Sequence, residues 1–152
     1  MFTSRLLRNS ISTKSLYVGM FFLLFGIVQA DVSITVDFNG ISQNKTISNI
    51  PWTPGMKVVD AMSWVLSESL LTYTLDSSST IGEFVTSIDG VYQVSGTGPW
   101  WLFCVNGITS RVGIDHKLLH DEDIIEWHYS DSFPPCPTES VIHPGQHPEH
   151  AH

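Results

Sequence analysis

The sequence predicts an α+β fold in which one helix packs on a mixed sheet. Three observations lead there. Residues 32 to 38 alternate apolar and polar side chains, a single amphipathic helical stripe follows Pro54, and strand-length apolar segments recur well after that stripe.

In the first segment Val32, Ile34, Val36 and Phe38 share one face and Ser33, Thr35 and Asp37 the other, the period-two pattern of a half-buried strand. Asn39-Gly40 supplies a turn, and a second short strand is expected from about Lys45 to Ile50, with Pro51 and Pro54 ending its ladder. Thr53-Pro54 reads as an N-cap and first helical residue, and Val59, Met62, Leu66 and Leu70 follow at helical spacing. Residues 72 to 82 are rich in Ser and Thr without periodicity and are expected to be loop. Phe84 to Ile88 is the next strand, ended by Asp89-Gly90, and Gly96-Thr97-Gly98-Pro99 is a further break. Trp100 to Val105 is apolar on both faces and predicts a central strand, followed by the hairpin signal Asn106-Gly107. In the last strand, Ile124 to Tyr129, Ile125, Trp127 and Tyr129 point inward while Glu126 and His128 face out. Strand, strand, helix, then at least three strands is the order of a β-grasp.

The chain divides into three parts. Residues 1–30 carry Arg5, Arg8 and Lys14 ahead of a 13-residue apolar stretch, Leu16 to Val28, with small residues at Val28 and Ala30. This is the layout of a signal peptide cleaved after Ala30, and the stretch is short of the roughly 20 residues that span a bilayer. Residues 31–130 form the predicted domain. Residues 131–152 hold five prolines and four histidines and read as a flexible tail.

After cleavage, four cations face fifteen carboxylates, a formal charge of −11 that disfavours nucleic acid and anionic lipid. Secretion also decides how the two cysteines are read: Cys104 and Cys136 are expected to form a disulfide. Asn44-Lys45-Thr46 is a glycosylation sequon in a polar stretch.

The run Trp100-Trp101-Leu102-Phe103-Cys104-Val105-Asn106-Gly107, then Gly113-Ile114, then Leu119 through Tyr129, resembles the transcobalamin-like C-terminal domain family. Pro54-Gly55-Met56-Lys57-Val58-Val59-Asp60-Ala61-Met62 and Ile88-Asp89-Gly90-Val91 extend the likeness over most of residues 32 to 129. Where that family commonly has Asp-Gly-Asp, this chain has Asp121-Glu122-Asp123, which calls the tight turn into question. The resemblance implies a β-grasp module that covers one side of cobalamin, here without the helical barrel that holds the other side in transcobalamin and intrinsic factor. It makes cobalamin, or another corrinoid, the specific candidate ligand.

Read from the residues, Trp100, Trp101 and Phe103 beside the glycine edge at Gly96 and Gly98 are a candidate surface for a small planar or amphipathic ligand. Core packing is the competing explanation, and alternation assigns one of the two tryptophans to the core. Asn106 and Gly107, with Ile108 and Thr109, form a hairpin tip whose amides either contact a ligand or only make the turn, and Asp89-Gly90 has the same two readings. His116 and His120 have the spacing of a helical metal pair, but they precede a strand. Asp121, Glu122 and Asp123 lack the spacing of a calcium loop. His143, His147, His150 and His152 in the tail offer imidazoles for weak Cu(II), Ni(II) or Zn(II) binding. The sequence has neither a Gly-x-Ser-x-Gly elbow nor a His-Glu-x-x-His motif, and no catalysis or required cofactor is expected.

The expected function is thus a secreted, non-catalytic binding module for a small ligand, with a second subunit or partner supplying the other wall. The alternatives are an extracellular module that binds a protein or glycan, or metal handling by the histidine tail.

Overall fold

The computed structural model describes residues 29–137. Most of the expected signal peptide, and tail residues His143, His147, His150 and His152, lie outside that range. The elements are β1 (Asp31–Asp37), β2 (Lys45–Pro51), α1 (Val58–Ser67), β3 (Tyr73–Asp76), β4 (Phe84–Ile88), β5 (Val91–Tyr92), β6 (Trp100–Val105), β7 (Ile108–Thr109) and β8 (Ile124–Ser130).

The main sheet runs β2-β1-β8-β6-β7. Its first and last long strands, β1 and β8, are parallel neighbours, and every other pair in it is antiparallel. That mixed order, with a single helix following the first hairpin, is the expected α+β, β-grasp-like arrangement. A smaller antiparallel sheet, β3-β4-β5, lies beside it.

The alternation in β1 and β8 translates directly into burial. Val32, Ile34, Val36 and Phe38 from the first segment, and Ile125, Trp127 and Tyr129 from β8, all enter one core. Fully burying side chains of this kind is worth about 1.5–3 kcal/mol each. The indole N–H of Trp127 is buried without a protein acceptor among the described residues, a local cost of about 1–3 kcal/mol.

Three expectations change. The helix begins at Val58, after Lys57, and not at Pro54. Thr53 to Met56 closes instead into a turn through the Met56 amide and the Thr53 carbonyl, with Gly55 at φ +87. Asp60 then accepts a hydrogen bond from the Lys57 amide at 2.8 Å and places a carboxylate in the first turn. The Val58 and Val59 amides donate to the carbonyls of Lys117 and Ile114. The buried stripe also differs from the expected one: Val58, Ala61, Met62 and Val65 face the core, whereas Leu66 and Leu70, the latter beyond the helix end at Ser67, are exposed.

Second, the segment expected to be loop contains β3. Its pairing with β4 is reinforced by hydroxyls, with Thr74 Oγ1 2.7 Å from both Thr86 Oγ1 and Ser87 Oγ. A strand that is mostly exposed and held by hydroxyls leaves no apolar alternation to read. Third, β8 and not β6 occupies the centre of the main sheet. The two-faced apolarity of β6 has another origin: its second face is covered by residues after β8, through a disulfide between Cys104 and Cys136 with a Cα–Cα separation of 6.4 Å.

The turn before β8 stays tight without glycine. Glu122 takes the left-handed conformation at φ 66, and Asp123, which is buried, accepts hydrogen bonds from the His120 amide and the Asn106 side chain.

Candidate functional site

β7 pairs only with Cys104 and Val105, so the start of β6 has no strand on that side. β4 of the smaller sheet approaches β6 there without pairing with it. The seam holds a cavity of about 350 Å³ lined by Ile81, Phe84, Leu102, Arg111, Val112 and Phe133, together with Trp101, Phe103, Thr109 and Ser110. Ile81 and Phe133 stand at its rim 54% and 62% exposed, apolar area of a kind that a ligand or partner would cover.

The polar groups lining the cavity are mostly committed elsewhere. Thr109 Oγ1 donates to the Cys136 carbonyl at 2.6 Å, and Ser110 Oγ to the Val112 carbonyl at 2.9 Å. Arg111 is exposed and forms no ion pair among the described residues. The cavity therefore offers an apolar body with one guanidinium at its edge, which suits a ligand with an apolar part and an anionic group.

The two tryptophans separate as alternation requires. Trp101 is the structural one: 3% exposed, edge-on to Phe38 at 5.4 Å between ring centroids, 5.0 Å from Tyr129, and donating its indole N–H to the Val91 carbonyl at 2.8 Å. Tyr129 donates its hydroxyl to the Tyr92 carbonyl at 2.7 Å, so both side chains tie the main sheet to β5. Phe103 is buried against Trp127 at 5.0 Å. Trp100 is half-buried and lies against Gly98, where an added Cβ would come within 2.7 Å of the indole ring. The glycine edge thus admits the protein's own tryptophan.

Asn106 and Gly107 form the expected two-residue turn, at φ 51 and 73. Their polar groups are engaged within the chain: the Asn106 amide donates to Asp123, its carbonyl oxygen accepts from the Ile124 amide, and the Gly107 amide donates to Glu126 at 2.6 Å. Asp89 is similarly occupied. Burial opposes its ionisation, but hydrogen bonds from Lys45 and Thr72 prevail and hold its carboxyl below the ordinary carboxylate range.

The histidine pair does not assemble. His116 lies in a turn beside Asp115, while His120 is exposed near Asp123, and neither joins a metal-ligating group of three among the described residues. The Asp115 carboxyl is lowered mainly by the Glu83 amide, against partial desolvation and with help from His116. Asn44 is exposed, with its side-chain oxygen accepting from the Phe38 amide.

Ile81, Phe84, Arg111, Val112 and Phe133 were not among the sequence candidates. Arg111 had a legible signal as one of only four cations after residue 30. Ile81, Val112 and Phe133 are single apolar residues in unpatterned segments, and Phe84 opens a predicted strand without a mark of what it faces.

Residues 61–131 match the model of a family described as a domain of unknown function, DUF4430. No curated protein matches the sequence. Among solved structures, the chain is similar to a protein from Ruminococcus gnavus ATCC 29149 whose proposed role is metal binding. The TM-score is 0.53 at 18% identity, over 69% of this chain and 100% of that one. A likeness at that identity is one of fold, and function has to be argued from the site.

Proposed function

We propose that the protein is a secreted, non-catalytic module that binds a small amphipathic ligand along the unpaired edge of β6. The observation that carries this is the apolar seam between the two sheets, with Phe133 and Ile81 exposed at its rim and Arg111 at its edge. The ligand's apolar part would displace water from Leu102, Phe84 and Phe133, and Arg111 would orient an anionic group.

A corrinoid is the specific candidate, on the strength of the resemblance to the transcobalamin-like C-terminal domain. Small-molecule pockets span roughly 300–1,000 Å³. At about 350 Å³ the cavity would hold only part of so large a molecule, and a second subunit or partner would cover the remainder.

The test is a titration of the secreted protein with aquocobalamin, cyanocobalamin and the amphipathic anion anilinonaphthalene sulfonate, using Arg111→Ala and Phe133→Ala in parallel. Both residues are exposed, so these variants should fold normally. Saturable binding that weakens about tenfold in each variant supports the site. Saturable binding untouched by both, or none of any probe, refutes it and favours a module that captures a protein or glycan.

A further inference from the structure

The outer face of the main sheet carries a second constellation, which is independent of the ligand cavity reading. Strand register sets it. His128 on β8 pairs directly with Leu102 on β6, placing His128 and Cys104 on the same face, and Asp37 on β1 pairs with His128 from the other side. Cys136 comes down onto that face from the segment after β8. The Sγ atoms of Cys104 and Cys136 and a ring nitrogen of His128 lie within 4.8 Å of one another. Nε2 of His128 is 3.5 Å from the Cys136 sulfur, and Nδ1 faces the Asp37 carboxylate at 4.0 Å.

Two features make this more than a histidine near a disulfide. All three donors are nitrogen or sulfur, the set that borderline-soft cations prefer, and the Asp37 carboxylate stands behind the imidazole at ion-pair range, longer than a hydrogen bond. The sulfur–sulfur bond is also not the only thing holding Cys136 in place. Its amide donates to Thr109 Oγ1 at 3.1 Å, its carbonyl accepts from the same hydroxyl at 2.6 Å, and the Thr109 amide donates to the Pro137 carbonyl at 3.0 Å. These hydrogen bonds would keep Cys136 beside Cys104 and His128 once the disulfide is broken.

We propose that Cys104, Cys136 and His128 form a redox-gated cation site, closed while the disulfide stands and opened by a dithiol reductant, with Zn²⁺ as the fitting ion. The dithiol supplies two electrons and two protons, giving two cysteine thiols and its own cyclic disulfide. Zn²⁺ then displaces both thiol protons and binds two thiolates and the neutral imidazole. Water takes the fourth position, since the described residues supply three converging donors.

The experiment uses the full chain with His143, His147, His150 and His152 replaced by alanine, so that tail imidazoles do not report. The protein is reduced with a dithiol, freed of it under anaerobic conditions, and titrated with Co²⁺ and then Zn²⁺, with circular dichroism recorded throughout. The expected result is one Co²⁺ per chain with a thiolate-to-cobalt charge-transfer band, displaced by Zn²⁺ and absent from the oxidised protein. The band should disappear in Cys136→Ser, and His128→Ala should weaken affinity by about tenfold or more, at least the loss typical for an orienting partner. A folded, reduced protein without the band would overturn the proposal. So would affinity unchanged by His128→Ala, or unfolding on reduction.

Discussion

Replacing each of the adjacent tryptophans with phenylalanine asks which of them the fold uses. In Trp101→Phe the ring shrinks at a position that is 3% exposed. Roughly 40 Å² less apolar area is buried, which at about 25 cal/mol per Å² costs about 1 kcal/mol. The Val91 carbonyl also loses its indole donor, for about another 1 kcal/mol. The sum is about 2 kcal/mol, or roughly 10 °C in Tm for a domain of this size. Trp100 is half-buried, and among the described residues its indole N–H has no protein partner in a hydrogen bond, so Trp100→Phe should cost less than about 1 kcal/mol. Urea unfolding followed by circular dichroism is the suitable assay, because the chain's five tryptophans confuse a fluorescence readout. Equal losses, or a larger loss in Trp100→Phe, would refute the assignment of Trp101 as the clamp between the two sheets.

Gly98 sits at φ +73 with an added Cβ 2.7 Å from Trp100, so Gly98→Ala should cost about 1–3 kcal/mol and push the indole outward, seen as increased acrylamide quenching. The folded-state pKa of Asp89 is depressed, so its contribution is present above the ordinary carboxylate value of about 3.9 and is lost as pH falls below it. Asp89→Asn should therefore lower stability at neutral pH by about 1 kcal/mol, kept small by the exposed lysine end, and flatten the acid limb; an unchanged acid limb would show that the Lys45 and Thr72 contacts do not matter.

Much of the fold was legible because its signals are local. Period-two alternation in β1 and β8 was sufficient to name the buried residues, since a strand's side chains alternate regardless of what they pack against. Asn106-Gly107 announced its turn for the same reason. The helix starts later than the sequence predicts: Thr53-Pro54 has the right chemistry for a cap, but the Val58 and Val59 amides are satisfied by carbonyls at Lys117 and Ile114, more than 50 residues away in sequence. β3 left no pattern because its side chains are mostly exposed, so its backbone pairing with β4 requires no apolar alternation.

For the site, sequence alone determined that one of the two adjacent tryptophans of β6 would enter the core and that the two cysteines would pair. Only the tertiary structure decided that Trp101 is the buried one, that Gly98 accommodates Trp100, and that the groups of Asn106 and Gly107 are used within the chain. It alone brought Ile81, Phe84, Arg111 and Phe133 to one seam, and Cys104, His128 and Cys136 to one face. The physical reason is common to both. A strand's inner face is encoded in its own side chains, but the register that pairs strands, and the gap left where two sheets meet without pairing, depend on contacts between segments whose sequences carry no mark of one another.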